Sequence, residues 1–125
     1  MSLPAAYKPT PWDSAIFGVD SYEITEPSRA MLEIAARIPG HHTVRVDPSS
    51  YKGDLHANGF YYCDTLVEPY CSPERFVAFD HPGVGITRAA SLESLLSICH
   101  GTFSHDRFHR DFNLSPGVAD ARYNR

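Results

Sequence analysis

The chain has 125 residues and a mass of 13.9 kDa, the span of one ordinary domain, and its 42% hydrophobic, 12% aromatic and 21% charged residues fit a soluble globular protein with no membrane-spanning run. A formal net charge of -4 and a pI near 5.9, without any run of Lys or Arg, argue against a nucleic-acid backbone as partner, because that partner calls for a clustered basic face. The three cysteines, Cys63, Cys71 and Cys99, are odd in number and lack CxxC spacing, which points to reduced thiols and away from a disulfide framework or zinc site.

Residues 1–11 carry three prolines and no periodicity and read as an extended arm. They also lack the basic segment and apolar core of a secretory signal, so a cytoplasmic location is expected. Order is expected to begin at Trp12. Asp13 or Ser14 can cap a helical turn, Trp12 and Phe17 can bury, and Gly18 can end the turn with a positive φ. A strand over residues 19–24 follows. Pro27 or Ser28 then opens a helix whose face is Met31, Ile34, Ala35 and Ile38, with Gly40 as its stop. Thr43 to Val46 reads as a strand, and Pro48-Ser-Ser restarts a short helix reaching Asn58-Gly59.

Phe60 to Glu68, FYYCDTLVE, is the strongest predicted strand, and Glu74 to Phe79 is a candidate for another after the turn residues Pro69, Ser72 and Pro73. Asp64 inside that run either faces solvent by alternation or anchors a neighbouring loop. Pro82 and Gly83 punctuate a soft boundary near residue 80, dividing a 12–80 subdomain from an 81–125 segment. In the latter, Gly85 to Arg88 is β-prone, Ser91 caps a helix with Leu92, Leu95, Leu96 and Cys99 at helical spacing, and Gly101 ends it. The alternation predicts an α/β (α+β) fold, a mixed sheet flanked by helices.

Beyond that helix lies Phe103-Ser-His-Asp-Arg-Phe-His-Arg-Asp111. So many aromatic and charged groups are costly to bury, so the turn lines a cleft or interface, or is a solvated loop pinned by Phe103 and Phe108. His105 and His109 stand four apart, a metal-ligand spacing on a helix, with Asp106, Asp111 or His100 as a third donor; an ordinary hydrogen-bonded turn is the competing reading. Cys63 and Cys99 read as packing residues and not nucleophiles.

Four pieces in order, Trp12-Asp-Ser-x-x-Phe-Gly18, Asn58-Gly-Phe with Asp64-Thr-Leu-Val67, Ile86-Thr-Arg-Ala-Ala, and Arg107-Phe-His-x-Asp111, resemble the front portion of GNAT-superfamily acyl-CoA N-acyltransferases, nearest the dTDP-fucosamine acetyltransferase-like branch. Ala119-Asp-Ala-Arg-Tyr123 extends the resemblance. It implies an α/β N-terminal part followed by the start of an acyltransferase core, with the 103–111 turn on the acceptor side. Phe103, Arg107 and His109 are then the expected substrate contacts, Arg107 gripping an anionic group, and no metal is implied.

In such enzymes a Gly-rich loop leading into a helix cradles the acyl-CoA pyrophosphate. The nearest approach here, Arg37-Ile-Pro-Gly-His-His42, has His in place of Gly or Ala and follows a helix. The strand splay that holds acyl-CoA and the late general-acid tyrosine would lie beyond Arg125. The chain is therefore expected to be the N-terminal part, or a short relative, of an acetyl-CoA-dependent N-acetyltransferase acting on a small amine such as an amino sugar, binding no cofactor alone. Its catalytic residues are left unassigned. The alternative is a non-catalytic ligand- or partner-binding module of the same kind, and a histidine-based metallohydrolase comes third. Either leading reading leaves a half-built sheet edge and the apolar face of the Leu92 helix exposed, so a homodimer is expected.

Overall fold

The computed structural model describes residues 4–78, 80–100 and 102–123. Among these, a three-stranded mixed sheet is built from β1 (Tyr7–Pro9), β2 (Ser21–Ile24) and β3 (His41–Val44), in that order across the sheet. Five α-helices accompany it: α1 (Pro11–Phe17), α2 (Arg29–Ala35), α3 (Gly53–Ala57), α4 (Leu92–Cys99) and α5 (Pro116–Ala121), with a 3-10 turn at Pro73–Arg75. The fold is thus mixed α/β.

β1 runs antiparallel to β2 and β3 parallel to it, so the central strand satisfies both of its edges. The register aligns Tyr7 with Ile24 and Ile24 with Val44, while Tyr22 stands opposite His42. These residues share one face, where Tyr7, Ile24, Leu32 and Ala35 form the buried core and Met31, Ile38, Leu55 and Phe60 close around it. The other face carries Ser21 and His41, whose cover is α1 and the C-terminal segment. There the Ser21 amide donates to Ser14 Oγ at 2.9 Å, and Arg122, just past the end of α5, donates to Asp13 of α1 at 2.6 Å.

Several local rules act as the residues suggest. Gly18 is left-handed (φ 71°) and its amide returns to the Ser14 carbonyl. Ser28, Ser91 and Ser115 cap α2, α4 and α5, each side chain accepting an amide three residues on.

Other expectations are corrected. Order starts before Trp12: Tyr7 is in the sheet and buried, and Pro9 is tolerated because β1 is an edge strand that ends there. Trp12 is exposed, and α1 starts at Pro11 behind Thr10, whose carbonyl takes the first amides, with no cap from Asp13 or Ser14. The inner face of α2 is Leu32 and Ala35, with Met31, Ile34 and Ile38 half-buried. The helix ends at Ala35, ahead of Ile38-Pro39, where the residue before proline resists helical backbone. Gly40 stops nothing. With φ 144°, it lets the chain pass close to Asp20 on the way into β3. β3 begins at His41, two residues before Thr43, and Ser49-Ser50 fold into an Asp47-anchored turn, so α3 is only Gly53–Ala57.

The largest correction is Phe60 to Glu68, which forms no strand. Its propensity is high, but a strand needs a neighbouring edge, and the described sheet does not continue to it. Residues 84–88 likewise carry no strand, with Ile86 fully exposed, and Pro73–Arg75 is a 3-10 turn where a strand was expected, Phe79 lying outside the described residues. The expected stop at Gly101 also lies outside them. Leu92, Leu95 and Leu96 of α4 are exposed. No helix among the described residues is long and apolar enough to cross a membrane.

Candidate ligand-binding site

The open side of β3, the α2–β3 turn, the Asn58–Tyr61 stretch and the returning C-terminal segment enclose a groove of about 580 Å³, within the size range of small-molecule pockets. Its chemistry is set by β3 register. His41 points to the face covered by α1 and the C-terminal segment, and His42 points to the core.

His41 Nε2 lies 2.8 Å from Asp111 Oδ2, with both side chains nearly withdrawn from solvent. Asp111 reaches it because Phe108 is buried against Phe17, at 5.7 Å between ring centroids, and the Asp106 side chain turns the backbone by accepting the Phe108 amide. The second oxygen of Asp111 accepts from the Tyr61 hydroxyl and from the Asn113 amide at 2.9 Å, and Asn113 Nδ2 donates to Tyr61 Oη at 2.7 Å. Burial pushes the Asp111 carboxyl up, but donors from Tyr61, His41 and Asn113 together hold it below the usual carboxylate range. Asp111 is therefore an anion and can only accept, which puts the proton of this contact on His41 Nε2. The Tyr61 hydroxyl is raised by burial and by the same carboxylate.

His42 is held differently. The Tyr7 hydroxyl bonds its Nδ1, its Nε2 meets the Ile38 carbonyl at 2.8 Å, and its ring stacks on Tyr22 at 5.4 Å and 12°. Burial lowers its pKa, so the neutral ring with Nε2–H donating to Ile38 is favoured. This histidine is part of the packing. The same burial pushes Tyr7 up to about 12.

The expected contacts Phe103, Arg107 and His109 are not in the lining of this groove; they gather around Phe108 and Tyr123. Phe103 stacks on Tyr123 at 4.6 Å, the Arg107 guanidinium sits 4.7 Å over the Phe108 ring, and His109 bridges Asp106 at 2.5 Å and Asp120 at 3.1 Å. The Asp106 hydrogen bond raises His109 despite some desolvation. No group of three or more His, Cys, Asp or Glu side chains placed to hold a metal occurs among the described residues; His105 and His100 are exposed. Asp64 is exposed, its solvent-facing alternative. Cys63 is half-buried, and desolvation with the Asp111 and Asp64 carboxylates keeps its thiol pKa raised, against a nucleophilic role.

Sequence reasoning missed His41, Tyr61 and Asn113, and weighed Asp111 only as a metal donor and as the last residue of the Arg107-Phe-His-x-Asp111 motif. The available signal was the pair His41-His42 opening a β-branched run, where polar rings interrupt an apolar alternation. Within the segment Arg37 to His42, compared only with a phosphate loop, Ile38 to His42 supply a wall of the groove. Against known proteins, the chain matches no family model, no curated protein and no solved structure.

Proposed function

We propose that the chain is the acceptor-side N-terminal part, or a short relative, of an acyl-CoA-dependent N-acetyltransferase of the GNAT type, and that its groove receives a small amine such as an amino sugar. The supporting observation is convergence: Phe17, Asn58-Gly59-Phe60 and Asp111 belong to three of the four recognised motifs and are far apart in sequence, yet all line this groove. Chance motifs have no reason to share a wall. Phe103, Arg107 and His109 then stabilise the C-terminal segment that delivers Asp111, a positioning role in place of the direct substrate contact first expected of them. Titration of isotope-labelled protein with glucosamine should move the amides of Asn58–Tyr61 and Asn113 saturably. Shifts confined to α4 or the 62–78 stretch would overturn the reading.

The alternative, a non-catalytic ligand- or partner-binding module, is favoured by the helix ends. An acyl-CoA pyrophosphate needs a run of free amides where a Gly-rich loop opens a helix, but no described helix is opened by such a loop, and Ser28, Ser91 and Ser115 each take one amide of α2, α4 and α5. The residues present do not fit the cofactor, and the chain alone is proposed not to bind acetyl-CoA. Low-micromolar binding by calorimetry would overturn that. A homodimer through an exposed sheet edge and the exposed apolar face of α4 is proposed alongside, and light scattering that returned a monomer at micromolar concentration would refute it.

A further inference from the structure

We infer that His41 Nδ1 is the atom that recognises a primary ammonium in the groove. The inference rests on the acceptor-groove reading and adds to it the recognising atom and the tautomer that makes it selective. With its Nε2 proton directed at the Asp111 anion, the imidazole in this tautomer carries its lone pair at Nδ1. His41 Nδ1 makes no hydrogen bond among the described residues, and no buried side-chain nitrogen or oxygen there lacks a partner, so this nitrogen is not fully buried, and it belongs to a residue that lines the groove. It is an acceptor awaiting a donor.

The charge of the walls selects among donors. Asp111 is the one formally charged residue among those described that line the groove, which has no Lys or Arg. An ammonium beside it gains a charge-assisted hydrogen bond, and a carboxylate or phosphate meets repulsion with no cation to offset it. Ile38, Phe60 and Leu114 supply apolar walls for the body of the ligand. The predicted ligand is a compact primary amine with an apolar or ring-shaped body.

Asp111→Asn gives a sharp test. The Asn113 amide still needs an acceptor at Oδ1, so the new Nδ2 must face His41, whose Nε2 can then only accept. The imidazole proton moves to Nδ1, and the groove acquires a donor where it had an acceptor. Cyclohexylamine, cyclohexanol and cyclohexanecarboxylate are titrated separately at pH 8, followed by ring-nitrogen shifts of His41 and methyl shifts of Ile38 and Leu114. The wild type should bind the amine with a change at His41 Nδ1. Asp111→Asn should show the opposite tautomer and bind the amine roughly tenfold more weakly, the worth of one charge-assisted hydrogen bond. Should Asp111→Asn not fold, His41→Gln replaces it, with the same loss expected for the amine. Methyl shifts from all three probes without a His41 response would overturn the His41 assignment and leave the groove reading standing. No methyl shift from any probe would overturn both.

Discussion

Gly40→Ala is the most exposing single change to the geometry described above. Gly40 has φ 144°, where an L side chain is strained at a cost on the order of 1–3 kcal/mol. The added Cβ would also stand 2.5 Å from the Asp20 carbonyl oxygen, a backbone atom that cannot swing aside. That same oxygen accepts the His41 amide at 2.8 Å at the junction of β2 and β3, so backing away stretches this bond, worth about 0.5–1.5 kcal/mol. The combined loss should be about 2–4 kcal/mol. Two internal controls separate strain from clash. Gly59 also has positive φ (82°) but nothing within 4 Å of a new Cβ, so Gly59→Ala should cost only the strain, about 1 kcal/mol. Gly117 lies in α5 with open space around it, so Gly117→Ala should be neutral or gain about 0.5–1 kcal/mol. Urea melts of the three variants, with unchanged slopes, would rank them Gly40 worst, then Gly59, then Gly117. A Gly40→Ala midpoint no lower than that of Gly59→Ala would refute the close approach of the α2–β3 turn to β2.

Leu32→Ala should cost about 2–5 kcal/mol in the same melts, since Leu32 is one of the few buried core side chains; a change near zero would mean α2 does not seal the core. Arg122→Ala should cost about 1–2 kcal/mol by leaving Asp13 buried without its partner, while the partly solvated guanidinium limits the gain from the pair. His109 and His42 should give opposite pH signatures. The raised His109 pKa contributes stability that is complete below the unfolded value of 6.5 and is lost as pH rises through its folded pKa, so His109→Gln should flatten the alkaline limb of the stability curve. The lowered His42 pKa penalises the fold as pH falls below 6.5, so the acid limb should persist in that variant; a His109→Gln curve unchanged on the alkaline side would contradict the Asp106–His109–Asp120 bridge.

What was legible in the sequence was what is decided within one turn of chain. Ser28 and Ser91 cap helices because a serine oxygen needs only an amide three residues away, and Gly18 ends α1 because its own backbone permits φ 71°. Phe60 to Glu68 was misread because β-propensity reports the fit to a pleated surface and not the presence of a neighbour. β1 was hidden by Pro9, which reads as a breaker until the strand is known to lie at an edge. Asp111 stands 70 residues from His41 and Asn113 stands 52 from Tyr61, and no periodicity encodes meetings at that range. The resemblance led to expecting contact from Arg107 and His109, whose partners are Phe108, Asp106 and Asp120.

The groove is closed by two pieces of chain that meet only after a long excursion, since β3 and Tyr61 come before it and Asp111 and Asn113 after it. Joining the two walls is a loop-closure problem, and its entropic cost grows only logarithmically, so halving the intervening length would change it by about 0.6 kcal/mol. The described residues between Leu66 and Val84 are largely exposed, and the length of chain there hardly affects whether the walls meet. Evolution can lengthen, shorten or rewrite that stretch for other ends while the pairing of His41 with Asp111 stays where it is.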